Sequence, residues 1–167
     1  MIELIGPTPI RAADRHAMAC TLFGEARGEG QEGMIAVAWV IVNRWRQPSW
    51  WSRERDAILD DTLEAVCKDP WQFSCWLDQQ GARLKAFKAG SPELAKARPI
   101  VDLVLDCMAP DPTGGADHYH TIQAPAYAKG PGEWPPRWAR GREKFVTATI
   151  GAHRFFRLGP DGKGRAP

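Results

Sequence analysis

GEARGEGQEGMIAVAWVIVNR, residues 24–44, is the stretch whose reading decides the fold. Its second half, MIAVAWVIV at 34–42, is apolar all round, so a helix over about 32–46 belongs at the centre of the molecule rather than on its surface. The run is nine residues long. That is about half of what a bilayer-spanning helix requires, so no membrane span is expected. N-terminal to it, Asp14 can cap a helix that aligns Met18, Leu22 and Glu25 on one stripe, and Gly28 and Gly30 end that helix.

Outward from this pair the punctuation is clear. Pro48 stops the central helix, and Ser49-Trp50-Trp51-Ser52 follows as a loop. Residues 62–67 read as a short helix and 70–76 as a turn-rich connector. Ser91-Pro92-Glu93 is a helix start, Pro99 begins a further helix or kinks that one, and apolar periodicity continues to Met108. Six prolines and four glycines within residues 110–136 predict a long irregular segment, of the kind that often carries function. Residues 145–150 and 153–158 alternate and are rich in β-branched and aromatic types, predicting a small antiparallel hairpin that turns at Gly151-Ala152. The fold class is therefore mainly α (α+β): an N-terminal arm at 1–13, a single domain at 14–158 and a flexible tail at 159–167.

The 167 residues are 44% hydrophobic and 25% charged, enough for one well-packed soluble domain. A net charge of +2 gives no field to steer the whole chain to nucleic acid. Residues 129–167, however, carry nine basic against three acidic side chains, and Arg137, Arg140, Arg142 and Lys144 fall close together. This basic end can meet an anionic envelope polymer, or it is a solvated face. The N-terminus, MIELIGPTPIRAADRH, lacks a basic leader and a continuous apolar stretch, so synthesis in a cytoplasm without a signal peptide is expected. Cys20, Cys67, Cys75 and Cys107 match no zinc-ligand spacing and no dense disulfide framework. They read as buried thiols, with a Cys67–Cys75 bridge left open for a protein that works outside the cell.

Glu25 is the residue best suited to chemistry. Its carboxyl group is expected at the edge of the core and at a helix C-terminus, and both desolvation and the helix dipole favour the protonated form. A carboxylic acid kept protonated near neutral pH is what a general acid for glycosidic cleavage needs; the alternative is a structural ion pair with Arg27 or another basic group. Glu29, Glu32 and Asp117 are available as a second carboxylate. His118 and His120, two apart on an extended segment, are expected on opposite faces, a poor metal pair, and His16 and His153 are remote in sequence, so no metal and no cofactor is expected. Ser74 and Cys75 lack a nucleophile elbow, which leaves Cys75 with His120 as the only plausible pair for a peptidase.

Four blocks carry a resemblance over about residues 14–157: GEARGEGQEGMIAVAWVIVNR at 24–44, DPWQFSCW at 69–76, DPTGGADHYH at 111–120 and TIGAHRFF at 149–156. In this order the chain resembles the cell-wall hydrolases related to the spore-cortex-lytic enzymes of germinating spores. That resemblance implies a lysozyme-like helical catalytic domain acting on the peptidoglycan glycan strand. It also implies cleavage between N-acetylmuramic acid and N-acetylglucosamine as a lytic transglycosylase, with Glu25 catalytic. It implies a groove formed by Gln72, Phe73, Ser74 and Trp76 of the second block and by Tyr119 and His120 of the third. Phe73 and Trp76 are read equally well as core. A hydrolytic muramidase using a second carboxylate and a non-catalytic wall-binding module remain alternatives. The setting expected is a monomeric bacteriophage endolysin, reaching the wall from the host cytoplasm through a separate holin.

Eight tryptophans stand out in the composition. Trp39 and Trp45 belong to the central helix. Trp50, Trp51, Trp71, Trp76, Trp134 and Trp138 fall on connectors and are expected to line a sugar-binding groove.

Overall fold

A computed structural model describes residues 6–47, 59–69, 72–77, 86–128, 130, 132–159 and 162–164. Helix α1, Ala12–Ala26, begins two residues before Asp14. The Asp14 carboxylate works from inside the first turn, accepting the Arg11 backbone N–H at 2.8 Å and the Glu64 N–H at 2.9 Å. Asp14 thus ties the start of α1 to Glu64, and Arg11 at the cap position reaches the same residue, its guanidinium donating to Glu64 Oε2 at 3.2 Å. Helix α2, Gly30–Trp45, follows after a three-residue break, with Gly30 at φ +71°, a conformation glycine adopts without strain. Helix α3, Leu63–Lys68, is capped by the Thr62 hydroxyl on the Ala65 N–H at 3.0 Å.

The Ser-Pro-Glu signal opens only a 3-10 turn, Pro92–Leu94, and helix α4 starts afresh at Ala97–Leu105 with Pro99 in its first turn. Pro99 is tolerated there because the first N–H groups of a helix have no partner in it. The helix stops at Leu105, three residues before the predicted end, and Cys107 takes φ +55°. Arg15 of α1 clamps α4 through Asp102 at 2.6 Å and Asp106 at 2.7 Å.

The hairpin is present as β2, Val146–Ile150, and β3, His153–Phe156, with an irregularity between Val146 and Ala148. The irregular segment is not entirely irregular. His118–Thr121 forms β1 and pairs antiparallel with β3, Tyr119 opposite Phe155, to give a three-stranded sheet ordered β1-β3-β2. A four-residue edge strand without apolar alternation is defined by its partner, a non-local contact.

Helix α2 occupies the centre because it is covered on both sides. Met34, Val37, Ile41 and Trp45 pack with Met18 and Leu22 of α1, Leu63 and Val66 of α3, and Ile100 and Val104 of α4. Ala36 and Val40 pack against Ala116 and Phe155 below the sheet. A separate small cluster of Ala139, Phe156 and Leu158, with Trp138 against it, closes the far face of the sheet. Cys67 is a buried thiol in no disulfide, so the Cys67–Cys75 bridge is not made; burial pushes the Cys67 thiol up to about 12. In the segment expected as a flexible tail, the Gly162 and Gly164 N–H groups donate to Gly159 and Leu158. No helix among the described residues is long and apolar enough to cross a membrane.

Candidate active site

Glu25 is the penultimate residue of α1, and three donors converge on its carboxyl group. The Ser74 hydroxyl at 3.2 Å and the Cys75 backbone N–H at 2.9 Å meet Oε1, and the Tyr119 hydroxyl at 3.3 Å meets Oε2. Arg27 lies instead over the Phe23 ring at 5.0 Å, so the structural ion pair with Glu25 is not formed. The close approach of the 74–76 turn depends on Gly24. A Cβ there would stand 2.2 Å from Cys75 Cβ, so a side chain at this position would push the turn off Glu25.

Tyr119 is delivered by the loop before β1. Asp111 accepts the Thr113 N–H at 2.7 Å and the Gly115 N–H at 3.0 Å, while Asn43 of α2 donates to Asp111 at 3.0 Å and to the Ala116 carbonyl at 2.9 Å. Gly114 and Gly115 take φ of +66° and +81°, as this tight loop requires. Burial and the neighbouring Glu25 charge push the Tyr119 phenol well above its usual range, so it stays a neutral hydroxyl.

Behind the site, the buried Arg44 donates from Nε to the Asp117 carbonyl at 2.7 Å and from Nη1 to Gln72 Oε1 at 3.0 Å, with its guanidinium 5.3 Å from the Phe73 ring. An arginine is donor-only, so Gln72 turns its oxygen inward and keeps its NH₂ for the exposed side. No motif in the sequence assigns Arg44 this place. The available signal is that Arg44 is the one cation of α2, two residues after its nine-residue apolar run.

The sequence candidates divide. Glu25, Ser74, Tyr119 and, through Arg44, Gln72 are brought together. Phe73 is 1% exposed and belongs to the core, so it offers no face to a sugar. Trp76 points its N–H at Thr21 at 3.0 Å and packs at a tilt against Phe87, with centroids 4.6 Å apart, so packing accounts for it. His120 is 8% exposed, its Nδ1 lies 2.8 Å from the Thr121 carbonyl, and its ring is enclosed by Trp134, Trp138 and Phe156. His118 and His120 both contact Trp138 and therefore share one face of β1, because residues two apart on a strand point the same way; the expectation of opposite faces is corrected. That face is opposite to Tyr119. Cys75, whose amide holds Glu25, is on the Tyr119 side, so the Cys75–His120 pair is not assembled.

Two of the three acidic alternatives, Asp117 and Glu29, are otherwise engaged. Asp117 accepts the Leu158 and Gly159 amides at 2.9 and 2.7 Å and lies 2.8 Å from His118 Nδ1. Burial alone would raise its pKa, and these partners outweigh that and hold it below the usual value. Glu29 accepts the Ala152 N–H at 2.8 Å and so grips the hairpin turn, and Glu32 is exposed on the first turn of α2. Among the described residues no group of three His, Cys, Asp or Glu is arranged to hold a metal. Trp134 bonds the Thr121 carbonyl at 2.9 Å and Trp138 packs on His118 and Phe156, so both line the sheet's far face rather than a groove at Glu25. Trp50, Trp51 and Trp71 lie outside the described residues.

His153, remote in sequence from the other candidates, is also brought to the site. It is 3% exposed and stands edge-on to the Tyr119 ring, with centroids 5.0 Å apart.

Residues 28–156 match the family model described as Cell Wall Hydrolase. A spore cortex-lytic enzyme of Halalkalibacterium halodurans is 31% identical over 106 residues, 64% of this chain and 26% of that protein. A spore cortex-lytic enzyme of Oceanobacillus iheyensis is 39% identical over 67 residues, 40% of this chain and 21% of that protein. The match thus spans about a quarter of the length of these curated relatives. The fold is shared with the catalytic domain of the Bacillus cereus SleB protein, at a TM-score of 0.60 and 25% identity, covering 91% of this chain and 95% of that one. It is also shared with the catalytic domain of the germination-specific lytic transglycosylase SleB from Bacillus anthracis, at 0.57 and 24%, covering 90% and 100%. The lysozyme-like, mainly helical class expected from the sequence agrees with these neighbours.

Proposed function

Because the chain belongs to the cell wall hydrolase family, we propose that it degrades peptidoglycan. In this reading it cleaves the β-1,4 bond between N-acetylmuramic acid and N-acetylglucosamine as a lytic transglycosylase. The observation that carries the reading is the single carboxyl group of Glu25 held by Ser74, Cys75 and Tyr119.

Two donors occupy Oε1, so the proton that Glu25 delivers is carried on Oε2. Glu25 protonates the leaving glycosidic oxygen. The resulting carboxylate then takes the proton of the sugar's own C6 hydroxyl as that oxygen closes on the anomeric carbon, which yields a 1,6-anhydro ring with no water consumed. The neutral Tyr119 hydroxyl suits both stages, accepting from Oε2 in the acid form and donating to it in the carboxylate form. Hydrolysis would need a partner carboxylate about 5–5.5 Å or 6.5–9.5 Å away. The engagement of Asp117 with two amides and of Glu29 with the hairpin turn supports the one-carboxylate route. The exposed NH₂ of Gln72 is suited to a substrate N-acetyl carbonyl.

Purified sacculi and mass spectrometry of the released muropeptides test the reading. The expected products are lighter than the hydrated disaccharide peptides by one water, and Glu25→Gln is expected to lower the rate about 10²–10⁴-fold while remaining folded. Products with a free reducing end would favour a hydrolytic muramidase, and an active Glu25→Gln variant would remove Glu25 from its role.

A further inference from the structure

We propose that His153 is a positioning residue for the reaction, coupling Glu29 on the α1–α2 junction to Tyr119 and through it to Glu25. The inference rests on the function proposed above. His153 leads off β3 directly after the turn that Glu29 grips, and the grip is close. The Glu29 carboxylate takes the Ala152 N–H at 2.8 Å, and a Cβ on Gly151, at φ +56°, would come within 2.4 Å of Glu29 Oε2. The next residue is held just as tightly. The His153 ring stands perpendicular to the Tyr119 ring at 86°, with centroids 5.0 Å apart, and Phe155 backs Tyr119 at 5.7 Å. With both rings fixed, the Tyr119 side chain has one orientation, and that orientation brings its hydroxyl to Glu25.

A phenyl ring could do that packing alone, so the imidazole nitrogen needs its own account. His153 Nδ1 is buried, has no hydrogen-bond partner among the described residues, and lies 3.8 Å from Glu29 Oε2, beyond hydrogen-bond reach. A buried polar atom left unsatisfied is costly, and an apolar ring of the same shape would be more stable here. Nδ1 faces the Glu29 carboxylate across 3.8 Å while the same ring packs on Tyr119. The charged and titratable groups around the ring are Glu29 from the junction, Glu25 from α1, and Tyr119 and His120 from β1. His153 thus stands between the grip on the hairpin and the donor on the catalytic carboxyl group.

The test compares His153→Phe, Tyr119→Phe, the double variant and Glu25→Gln on purified sacculi, recording turnover, sacculus binding and melting temperature. His153→Phe is expected to melt at or above the parent temperature and to bind sacculi within about twofold of the parent. Its turnover is expected to fall about tenfold, and the double variant to be no slower than Tyr119→Phe alone. Parental turnover in His153→Phe overturns the proposal, because the ring alone then suffices. Fully additive losses in the double variant also overturn it, since His153 then does not act through Tyr119. Should His153→Phe not fold, Glu29→Gln keeps an acceptor for Ala152 and removes the charge facing Nδ1, and it must lose about tenfold with the same non-additivity. An active Glu25→Gln instead strikes the proposed function itself, so the two failures are distinguishable.

Discussion

Tyr119 and Ser74 reach Glu25 from segments separated from it by 94 and 49 residues, yet each contributes one hydroxyl to one carboxyl oxygen. Hydrogen bonds to a charged group contribute about 1.5–3 kcal/mol, so losing the donor on the oxygen that handles the proton has a calculable effect. Tyr119→Phe is expected to reduce turnover about 10- to 150-fold, with little change in sacculus binding, measured as soluble muropeptide released per minute. Ser74→Ala leaves the Cys75 amide on Oε1 and is expected to cost less. A Ser74→Ala variant slower than Tyr119→Phe would mean that Oε1, not Oε2, carries the transferred proton.

Two elements meet at Gly24, where the 74–76 turn comes down on α1. By helix propensity alone Gly24→Ala should add about 1 kcal/mol of stability. Contact with Cys75 decides otherwise, because a Cβ placed 2.2 Å from Cys75 Cβ forces the turn outward. The expected outcome is a lower melting temperature and at least about tenfold less activity, since an outward turn lengthens both contacts to Oε1 and loses more than 1.4 kcal/mol. A more stable and fully active Gly24→Ala would show that the turn is not held by this contact. At the C-terminal end, Arg140 is tied to the Pro135 carbonyl at 2.8 Å and to Gly132, whereas Arg137 and Lys144 are exposed. If this end holds an anionic polymer, Arg137→Ala with Lys144→Ala is expected to weaken attachment to whole cells at low salt. The difference should vanish at high salt, because exposed charges are screened over about 8 Å at physiological ionic strength.

Across the molecule, His118, His120, His153, Asp14 and Asp117 are all held below their usual pKa values. Burial lowers the pKa of His118, His120 and His153 below 6.5, and their neighbouring oxygens only partly offset it. Each histidine therefore binds a proton less readily folded than unfolded, and stability is lost as pH falls below about 6.5. Asp14 and Asp117 are held below 3.8 by Arg11, His118 and backbone amides, outweighing the opposing effect of burial. Their contribution is present above the unfolded value and lost as pH falls through the folded one. The melting temperature is accordingly expected to be highest near neutrality, to decline from about pH 6.5 downward, and to decline again below about pH 4. A melting temperature flat between pH 7 and 5 would contradict the burial of these histidines.

By itself the sequence determined what short-range chemistry can specify. An all-round apolar run made α2 the core, glycines at 28 and 30 separated it from α1, and alternation after Phe145 made the hairpin. Helical phase likewise brought Glu25 to the end of α1 at the margin of the core. Tertiary structure decided everything that depends on what lies opposite. Pairing with β3 turned 118–121 into a strand, and its register sent Tyr119 toward Glu25 while His120 went to the far face with Trp134 and Trp138. Arg44, Glu29 and His153 acquired roles only through partners distant along the chain, and the same is true of Phe73, whose burial sequence could not distinguish from a groove position. The physical reason is that periodicity and propensity are properties of neighbours along the chain, whereas a site is a convergence of side chains whose separation in space is fixed by packing.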